Sequence, residues 1–126
     1  MAVALPQTQA FDGTVTFLDG DDKRDISVTA SQTCYNTLAC AAKKPTALAW
    51  QGLPLDGVFH GKSYIYFYTD KDCVGRRRGW STDPKDAPTA LEYDELNDHI
   101  GSFMVWKKTG VIEHTADGCA AARLRH

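Results

Sequence analysis

Four cysteines are the residues of this sequence best suited to chemistry, and their spacing favours disulfides over metal binding. They lie at irregular intervals without a Cys-x-x-Cys pair: Cys34, Cys40, Cys73 and Cys119. A zinc ribbon or a thioredoxin-like redox site would need closely spaced pairs. We therefore predict two disulfides, for which three pairings are possible; four buried free thiols are the alternative. Because disulfides persist in oxidising compartments, an even number of cysteines in a small chain predicts secretion.

The other reactive side chains form no recognisable catalytic or metal-binding pattern. No two histidines lie three or four residues apart, and they are scattered along the chain: His60, His99, His114 and His126. The sequence also lacks a Gly-x-Ser-x-Gly elbow, a phosphate loop and a dinucleotide-binding glycine pattern. Glu92, Asp94 and Glu95 could serve acid–base chemistry, but carboxylates clustered on loops are usually only solvated. We therefore predict a binding protein and not an enzyme.

Length and composition predict one globular domain that has to position these residues. The chain has 126 residues, of which 43% are hydrophobic and 24% charged. That is enough for one core and too little for two ordinary domains. Residues 1–10 combine Pro6 with polar residues in no regular period, so we predict a flexible arm there and a single domain over residues 11–126.

Alternating apolar and polar residues predict β-strands over most of that domain. Val15 and Phe17, then Ile26 and Val28, alternate on either side of an aspartate-rich turn and predict a hairpin. Aromatic and β-branched residues make residues 64–68 the strongest strand prediction. Shorter strands are predicted at residues 47–50, 76–80, 103–106 and 111–114, and a short helix near residues 33–42.

A weak internal repeat indicates how these strands pack. Thr46 lies four residues before Trp50, and Ser102 lies four residues before Trp106. Each half therefore resembles one four-stranded unit. Two such units packed sheet on sheet predict an all-β fold, a Greek-key β-sandwich.

The second half, residues 68–106, resembles a βγ-crystallin Greek-key motif. That motif has an aromatic residue at the start of a folded hairpin and a glycine seven positions later, matched here by Tyr68 and Gly75. The glycine takes a backbone conformation that residues with a β-carbon disfavour. The serine before the last strand of the motif is matched by Ser102. The first half matches less well, since Arg24 stands where its glycine would be.

The resemblance also narrows the disulfide pairings. Cys73 stands where the family often has a core aromatic residue, so it is expected to face inward and to be oxidised. Its expected partner is Cys34 or Cys40. Cys119 would then bond to the other of these two and tie down the tail that follows the last strand.

Calcium is the cofactor that the resemblance raises. Calcium-binding members carry the pattern Asn/Asp-Asn/Asp-x-x-Ser/Thr-Ser, which Asn97, Asp98 and Ser102 match, whereas Gly101 replaces the ligating hydroxyl. The corresponding segment of the first half, residues 41–46, has two lysines and no acid. We therefore expect no cofactor, with any calcium binding limited to one weak site. Ser102 is instead expected to hold the folded hairpin by a hydrogen bond.

The first functional hypothesis is a secreted microbial effector. Bacterial and fungal members of the superfamily include killer toxins, antifungal proteins and a metalloproteinase inhibitor. Such an effector would bind an extracellular protein of another organism and could inhibit an enzyme such as a protease. Residues 51–62 carry apolar side chains suited to that contact, with capping of the sandwich as the alternative role: Leu53, Leu55, Val58 and Phe59.

Two other hypotheses depend on different residues. A killer-toxin-like or antimicrobial protein would act on a membrane or cell wall through a basic, aromatic patch formed by Arg76, Arg77, Arg78 and Trp80. The net charge of −2 argues against this patch as the main site. A calcium-stabilised structural crystallin is the third hypothesis. No nucleic-acid partner is expected, because the basic run is short and the chain is not basic overall.

Overall fold

Eight β-strands in two sheets make up most of the described structure. The computed structural model describes residues 11–37, 45–91, 96 and 100–119, and the predicted all-β sandwich is confirmed. Two single-turn 3-10 helices, Lys71–Cys73 and Pro84–Asp86, accompany the strands. The strands are β1 (Gly13–Asp19), β2 (Asp22–Val28), β3 (Thr33–Asn36), β4 (Ala47–Gln51), β5 (Tyr64–Tyr68), β6 (Arg77–Ser81), β7 (Ser102–Trp106) and β8 (His114–Asp117).

Three strands follow the same order in both sheets, and the second sheet has two further strands. The strand order is β2-β1-β4 in the first sheet and β6-β5-β7-β3-β8 in the second. The series β2-β1-β4 and β6-β5-β7 are equivalent, as the internal repeat predicts. β3 comes from the first half of the chain but pairs in the second sheet, where β8 joins it in parallel. The described strands therefore divide three and five instead of four and four, and Greek-key connectivity stays a prediction.

The first hairpin follows the predicted alternation. β1 pairs with β2 from Gly13↔Val28 to Asp19↔Asp22, and Gly20 makes the turn with a φ of +63°. Side chains that alternate along both strands point inward, so one face is buried and the other meets solvent. The inward residues are those predicted: Val15, Phe17, Ile26 and Val28.

Side chains from both sheets fill one hydrophobic core. The first sheet contributes Phe17 and Trp50, among others, and the second contributes Phe67 and Phe103. Phe17 meets Phe67 edge to face with 6.0 Å between ring centroids, and Phe67 lies 5.5 Å from Phe103. Aromatic contacts of this kind add to the free energy gained from apolar burial. The core therefore joins the two sheets directly.

The helix predicted near residues 33–42 is wrong over its first four residues. Residues 33–36 form β3, which pairs with β7 on one side and β8 on the other. Tyr35 also stacks on Phe103 with 5.4 Å between ring centroids. Pairing on both edges outweighs the weak helix preference of so short a segment. Residues 38–42 lie outside the described residues.

The last strand is displaced from its predicted position. The prediction covered residues 111–114, whereas β8 begins at His114 and ends at Asp117. The side chain of Gln32 binds the carbonyl oxygens of Thr109 and Val111, which holds that segment as a loop. Strand pairing therefore starts only after the loop ends.

The folded hairpin of the second half has the geometry that its residues predict. Gly75 has a φ of +92°, and a β-carbon there would lie 2.5 Å from Thr69 Oγ1. The Ser102 hydroxyl donates to the Asp70 carbonyl at 2.6 Å and accepts from the Cys73 N–H at 2.8 Å. The predicted role of Ser102 in holding the hairpin is thus confirmed.

A disulfide joins this hairpin to β3. Cys73 bonds to Cys34, one of its two predicted partners, and the two residues are 39 positions apart in the chain. Both are buried. Cys119 is disulfide-bonded as well, and Cys40, its other predicted partner, lies outside the described residues.

Replacing Ser102 with Ala should lower the free energy of unfolding by about 2–3 kcal/mol, because the Asp70 carbonyl and the buried Cys73 N–H both lose their partner. Ser27→Ala is the matched control. Ser27 is exposed on β2, so its loss should change stability by less than about 0.5 kcal/mol. Urea denaturation followed by tryptophan fluorescence measures both variants. Equal, small losses would show that the Ser102 hydroxyl does not hold the hairpin.

Candidate functional site

Exposed apolar side chains are concentrated on two loops. Five large hydrophobic side chains of the described residues are exposed, and four of them lie on residues 52–63, the first loop, and residues 107–113, the second loop. Apolar groups left in water at one place on a folded protein indicate an interaction site. The four are Leu55 (57% exposed), Val58 (64%), Val111 (54%) and Ile112 (43%). We call the two loops together the two-loop surface.

The two loops lie against each other around one tryptophan. The Val58 N–H donates to the Lys107 carbonyl at 3.1 Å. Phe59 of the first loop packs against Trp106 with 6.1 Å between ring centroids. Gly110 of the second loop lies so close to the Trp106 ring that a β-carbon would be 2.4 Å from it. Trp106, the last residue of β7, therefore touches both loops.

The backbone of the first loop is fixed by two buried hydroxyl residues. The Thr82 hydroxyl donates to the Pro54 carbonyl at 2.5 Å, and the Ser63 hydroxyl donates to the Asp56 carbonyl at 2.5 Å. The Ser63 N–H donates to the Leu55 carbonyl between them at 3.1 Å. Three consecutive carbonyl groups are thus already bonded within the protein. At these three positions the loop presents side chains to a partner, not free backbone acceptors.

The second loop is held by the side-chain amide of Gln32. The Gln32 Nε2 donates to the carbonyls of Thr109 at 2.9 Å and Val111 at 2.7 Å. Its Oε1 accepts from the N–H groups of Lys107 at 2.9 Å and Lys108 at 3.2 Å. These four bonds use both donors and both lone pairs of the amide. Gln32 is 1% exposed, so the loop is built around a fully bonded, buried polar group.

The sheet face beside the loops is aromatic and carries one arginine. Tyr66 and Trp106 stack with 4.0 Å between ring centroids. The guanidinium carbon of Arg77 lies 5.5 Å from the Tyr66 centroid and 5.4 Å from that of Trp106. Gly79 leaves space for the Tyr66 ring, because a β-carbon there would be 2.5 Å from it. The Tyr68 hydroxyl accepts from the Trp106 indole N–H at 3.2 Å, which fixes the plane of that ring.

The apolar residues predicted from residues 51–62 divide by burial. Leu55 and Val58 are exposed, as the interaction hypothesis requires. Leu53 is buried in the core, so the alternative role of capping the sandwich applies to this residue. Phe59 is half-buried against Tyr64 and Trp106. The first loop therefore both closes the sandwich and leaves two apolar side chains in solvent.

The three predicted arginines and Trp80 do not form one patch. Successive residues of a strand point to opposite faces of its sheet, and β6 contains Arg77 and Arg78 in sequence. Arg77 lies on the outer aromatic face. Arg78 lies over Trp80 at 5.0 Å, and Trp80 packs against the core residue Phe67. Arg76 is exposed just before the strand.

The predicted calcium residues are only partly described. Asn97 and Asp98 lie outside the described residues, and the Ser102 hydroxyl is engaged with the folded hairpin. In the part of the chain that the structure describes, no three or more His, Cys, Asp or Glu side chains are grouped to hold a metal ion. The carboxylates within residues 92–95 also lie outside that part.

A shallow concavity of about 250 Å³ on the outer face of the first sheet is the other candidate. The Thr16 hydroxyl there donates to Asp25 at 2.7 Å, so part of its polar lining is bonded internally. Trp50 is its aromatic residue and is only 2% exposed. The two-loop surface is the stronger candidate, because it leaves four large apolar side chains exposed to solvent. The concavity is lined by Thr14, Thr16, Lys23, Asp25, Ala49, Trp50 and Gln51.

Sequence reasoning missed Gln32 and the second loop. The hydrogen-bond partners of the Gln32 side chain lie 75 to 79 residues away in the chain, so nothing near Gln32 indicates its role. The sequence predicts a strand at Val111 and Ile112, because two adjacent β-branched residues favour a strand. The run of lysines and a glycine before them is the only local indication of a loop.

Comparisons of the chain with protein-family models, with curated proteins and with solved structures found no match. Across the described ranges, no helix is long and apolar enough to cross a membrane. The functional proposal is therefore based on the geometry of the two loops.

Replacing Gln32 with Ala should release the second loop. Four backbone groups would lose their partner, so the free energy of unfolding should fall by about 2–4 kcal/mol, and amides of residues 107–113 should exchange faster with solvent. Gln51→Ala is the control, because Gln51 is exposed at the end of β4 and should change stability by less than about 0.5 kcal/mol. Denaturant unfolding and hydrogen exchange measure both effects. Unchanged exchange in the second loop would contradict this role of Gln32.

Burial raises the pKa of Tyr68 above its ordinary value of 10.0, and the hydrogen bond from Trp106 offsets part of the rise. The Tyr68 hydroxyl therefore ionises at a lower pH in the unfolded chain than in the folded protein. The contribution of Tyr68 to stability should be complete below pH 10 and lost as the pH rises through the raised pKa. Tyr68→Phe should remove this part of the pH dependence. Absorbance at 295 nm and unfolding at stepwise pH measure it; an unchanged profile in the variant would contradict the assignment.

Proposed function

We propose that this chain is an extracellular, non-enzymatic binding protein that docks on a protein of another organism through the two-loop surface. The observation that carries the proposal is that four exposed apolar side chains stand on loops fixed by buried hydrogen bonds. Loops that are already ordered lose little conformational entropy on binding, so more of the apolar contact appears as affinity. Binding residues on loops that a rigid scaffold positions are typical of recognition proteins.

Secretion and a microbial effector role belong to the same proposal. The Cys34–Cys73 bond and the oxidised Cys119 are compatible with an extracellular location, because such bonds persist in oxidising compartments. The βγ-crystallin-like relationship is supported by the positive φ of Gly75 and the two hydrogen bonds of Ser102. The equivalent strand order of the two sheets supports it as well.

Inhibition of an extracellular protease is one form that such docking could take. A substrate-like inhibitor has to offer a free carbonyl to the oxyanion donors of the enzyme. The carbonyls of Pro54, Leu55 and Asp56 are bonded within the protein. The first loop is therefore suited to block a cleft by side-chain contact, with Leu55 as the anchor, and to resist cleavage.

The alternative functions have less support from the described residues. A toxin that acts on a membrane or cell wall would need one basic face, whereas Arg77 and Arg78 lie on opposite faces and the net charge is −2. A calcium-stabilised crystallin would need a ligating hydroxyl at the position of Gly101, and the neighbouring Ser102 hydroxyl is engaged in holding the hairpin. Protein docking remains the best-supported function.

A double variant in which both Leu55 and Val58 are replaced by Asp should fail to capture the target protein. The three baits are the wild type, the double variant and Val74→Asp, which carries the same change at an exposed valine of the folded hairpin. A target should be retained by the wild type and by Val74→Asp but not by the double variant. Losing even one central anchor should weaken binding about 30-fold or more.

The experiment captures proteins from the extracellular fluid of candidate host organisms and identifies them by mass spectrometry. Purified targets are then titrated against all three baits, and enzymatic targets are assayed for inhibition. All three baits should keep the same melting temperature, because the substituted side chains are exposed. Identical retention by all three baits, or retention by none, would refute docking through the two-loop surface.

A further inference from the structure

We infer that Arg77 is the anion-recognising residue of the docking surface and that the target presents a protein carboxylate to it. This inference rests on the proposed function and adds the chemistry of the partner. The partner is expected to be an acidic protein segment with apolar side chains beside its carboxylate. Arg77 is ordered by aromatic rings, has no carboxylate partner among the described residues, lies next to the two loops and is surrounded by more cations than carboxylates.

Arg77 is held in place by aromatic rings. It lies on β6, the edge strand of the second sheet, directly opposite Tyr68 of β5. Its guanidinium lies 5.5 Å and 5.4 Å from the centroids of Tyr66 and Trp106, which stack on each other. Cation–π attraction and the planar shape of guanidinium favour this arrangement. A long, exposed side chain is thus ordered before any partner binds.

The guanidinium has no carboxylate partner among the described residues. Contact with aromatic faces leaves the N–H groups along the guanidinium edge available, and these match the two oxygens of a carboxylate. An arginine that is positioned but unpaired is suited to bidentate recognition of an acid. The ion pairs in the described ranges involve other residues: Arg24–Asp22, Lys85–Asp83 and Lys108–Glu113.

Arg77 adjoins the two loops through Trp106. The ring that Arg77 covers also contacts Phe59 of the first loop and lies against Gly110 of the second. The cation therefore adjoins both of the loops that carry the exposed apolar side chains. Interface residues that dominate binding energy are often Arg, Trp and Tyr surrounded by apolar contacts, and this surface combines these types.

The charges around the surface favour an acidic partner. The two loops and Arg77 carry four cations and two carboxylates: Lys62, Arg77, Lys107 and Lys108 against Asp56 and Glu113. The chain as a whole carries a net charge of −2, so this surface differs in sign from the rest of the protein. Electrostatic complementarity of this kind orients a partner and raises its association rate.

A protein carboxylate fits this surface better than a polyanion. Nucleic acids and other polyanions are bound by extended sets of cations that each neutralise one charge. Here one ordered arginine stands beside apolar side chains on a chain of negative net charge. Such a site recognises one acid in an apolar setting.

The experiment titrates the full chain with two peptides and follows nuclear magnetic resonance signals. The probes are acetyl-Leu-Glu-Phe-Glu-Leu-amide and its glutamine counterpart, acetyl-Leu-Gln-Phe-Gln-Leu-amide. The Arg77 Nε–Hε signal, assigned with the Arg77→Lys variant, and the Trp106 indole signal report on the site. We expect both signals to move with the glutamate peptide and about tenfold weaker binding of the glutamine peptide.

Variants separate recognition from a structural role. Arg77→Ala and Arg77→Lys should each weaken binding of the glutamate peptide about tenfold, because lysine keeps the charge but loses the planar fork. Arg76→Ala removes an exposed neighbouring arginine and should leave the affinity within about twofold. A lower melting temperature of the Arg77 variants with unchanged peptide affinity would show that Arg77 only covers the aromatic rings, which overturns the inference.

Two further outcomes would also overturn it. One is an Arg77 signal that does not move with the glutamate peptide. The other is tighter binding of a heparin-derived tetrasaccharide that Arg76→Ala and Arg77→Ala weaken equally, since this would indicate a diffuse polyanion site. If the Leu55 and Val58 variant loses its target while Arg77 fails these tests, this inference is wrong and the proposed function stands. If target capture fails as well, both are wrong.

Discussion

The crossing of β3 from the first half of the chain to the second sheet is the constraint on which the rest of the structure depends. β3 pairs with β7 on one side and supports β8 on the other. Cys34, within β3, is bonded to Cys73 of the folded hairpin, and Gln32, just before β3, binds the second loop. Without β3, the edge of β7 would be unpaired and both the hairpin and the second loop would lose an anchor. One short strand thus connects the core, the hairpin and the candidate site.

The two halves of the chain show how a single residue type changes a hairpin. In the second half, Gly75 at a φ of +92° lets the chain fold back, and Ser102 closes it at 2.6 Å from the Asp70 carbonyl. In the first half, Arg24 pairs regularly with Phe17, and the hairpin stays straight. Glycine at this position favours the left-handed conformation, which Asp72 and Cys73 also take in the second hairpin. The equivalent strands of the two sheets are therefore connected by hairpins of different shape.

The candidate site depends on buried polar groups more than on the apolar core. Core packing fixes the two sheets, but the loops are placed by Ser63, Thr82 and the amide of Gln32. A buried hydrogen-bonding group that loses its partner costs more than the net gain of forming one bond, so such groups hold a single loop conformation. Rigid loops that leave Leu55 and Val58 in solvent are suited to recognition.

The sequence by itself determined most of the strands, one hairpin fold and part of the site. Residue composition is a local property, so the aromatic and β-branched residues of Tyr64–Tyr68 predict a strand with its observed bounds, and the Gly75 and Ser102 pattern predicts the hairpin. Leu53, Leu55, Val58 and Phe59 are all predicted as contact residues, with capping of the sandwich as the alternative, and of these Leu55 and Val58 are exposed. Only the tertiary structure decided that residues 33–36 form a strand and that Gln32 builds the second loop. Those outcomes depend on partners that are far away in the chain, as the 75-residue separation of Gln32 and Lys107 shows, and no local pattern encodes a distant partner.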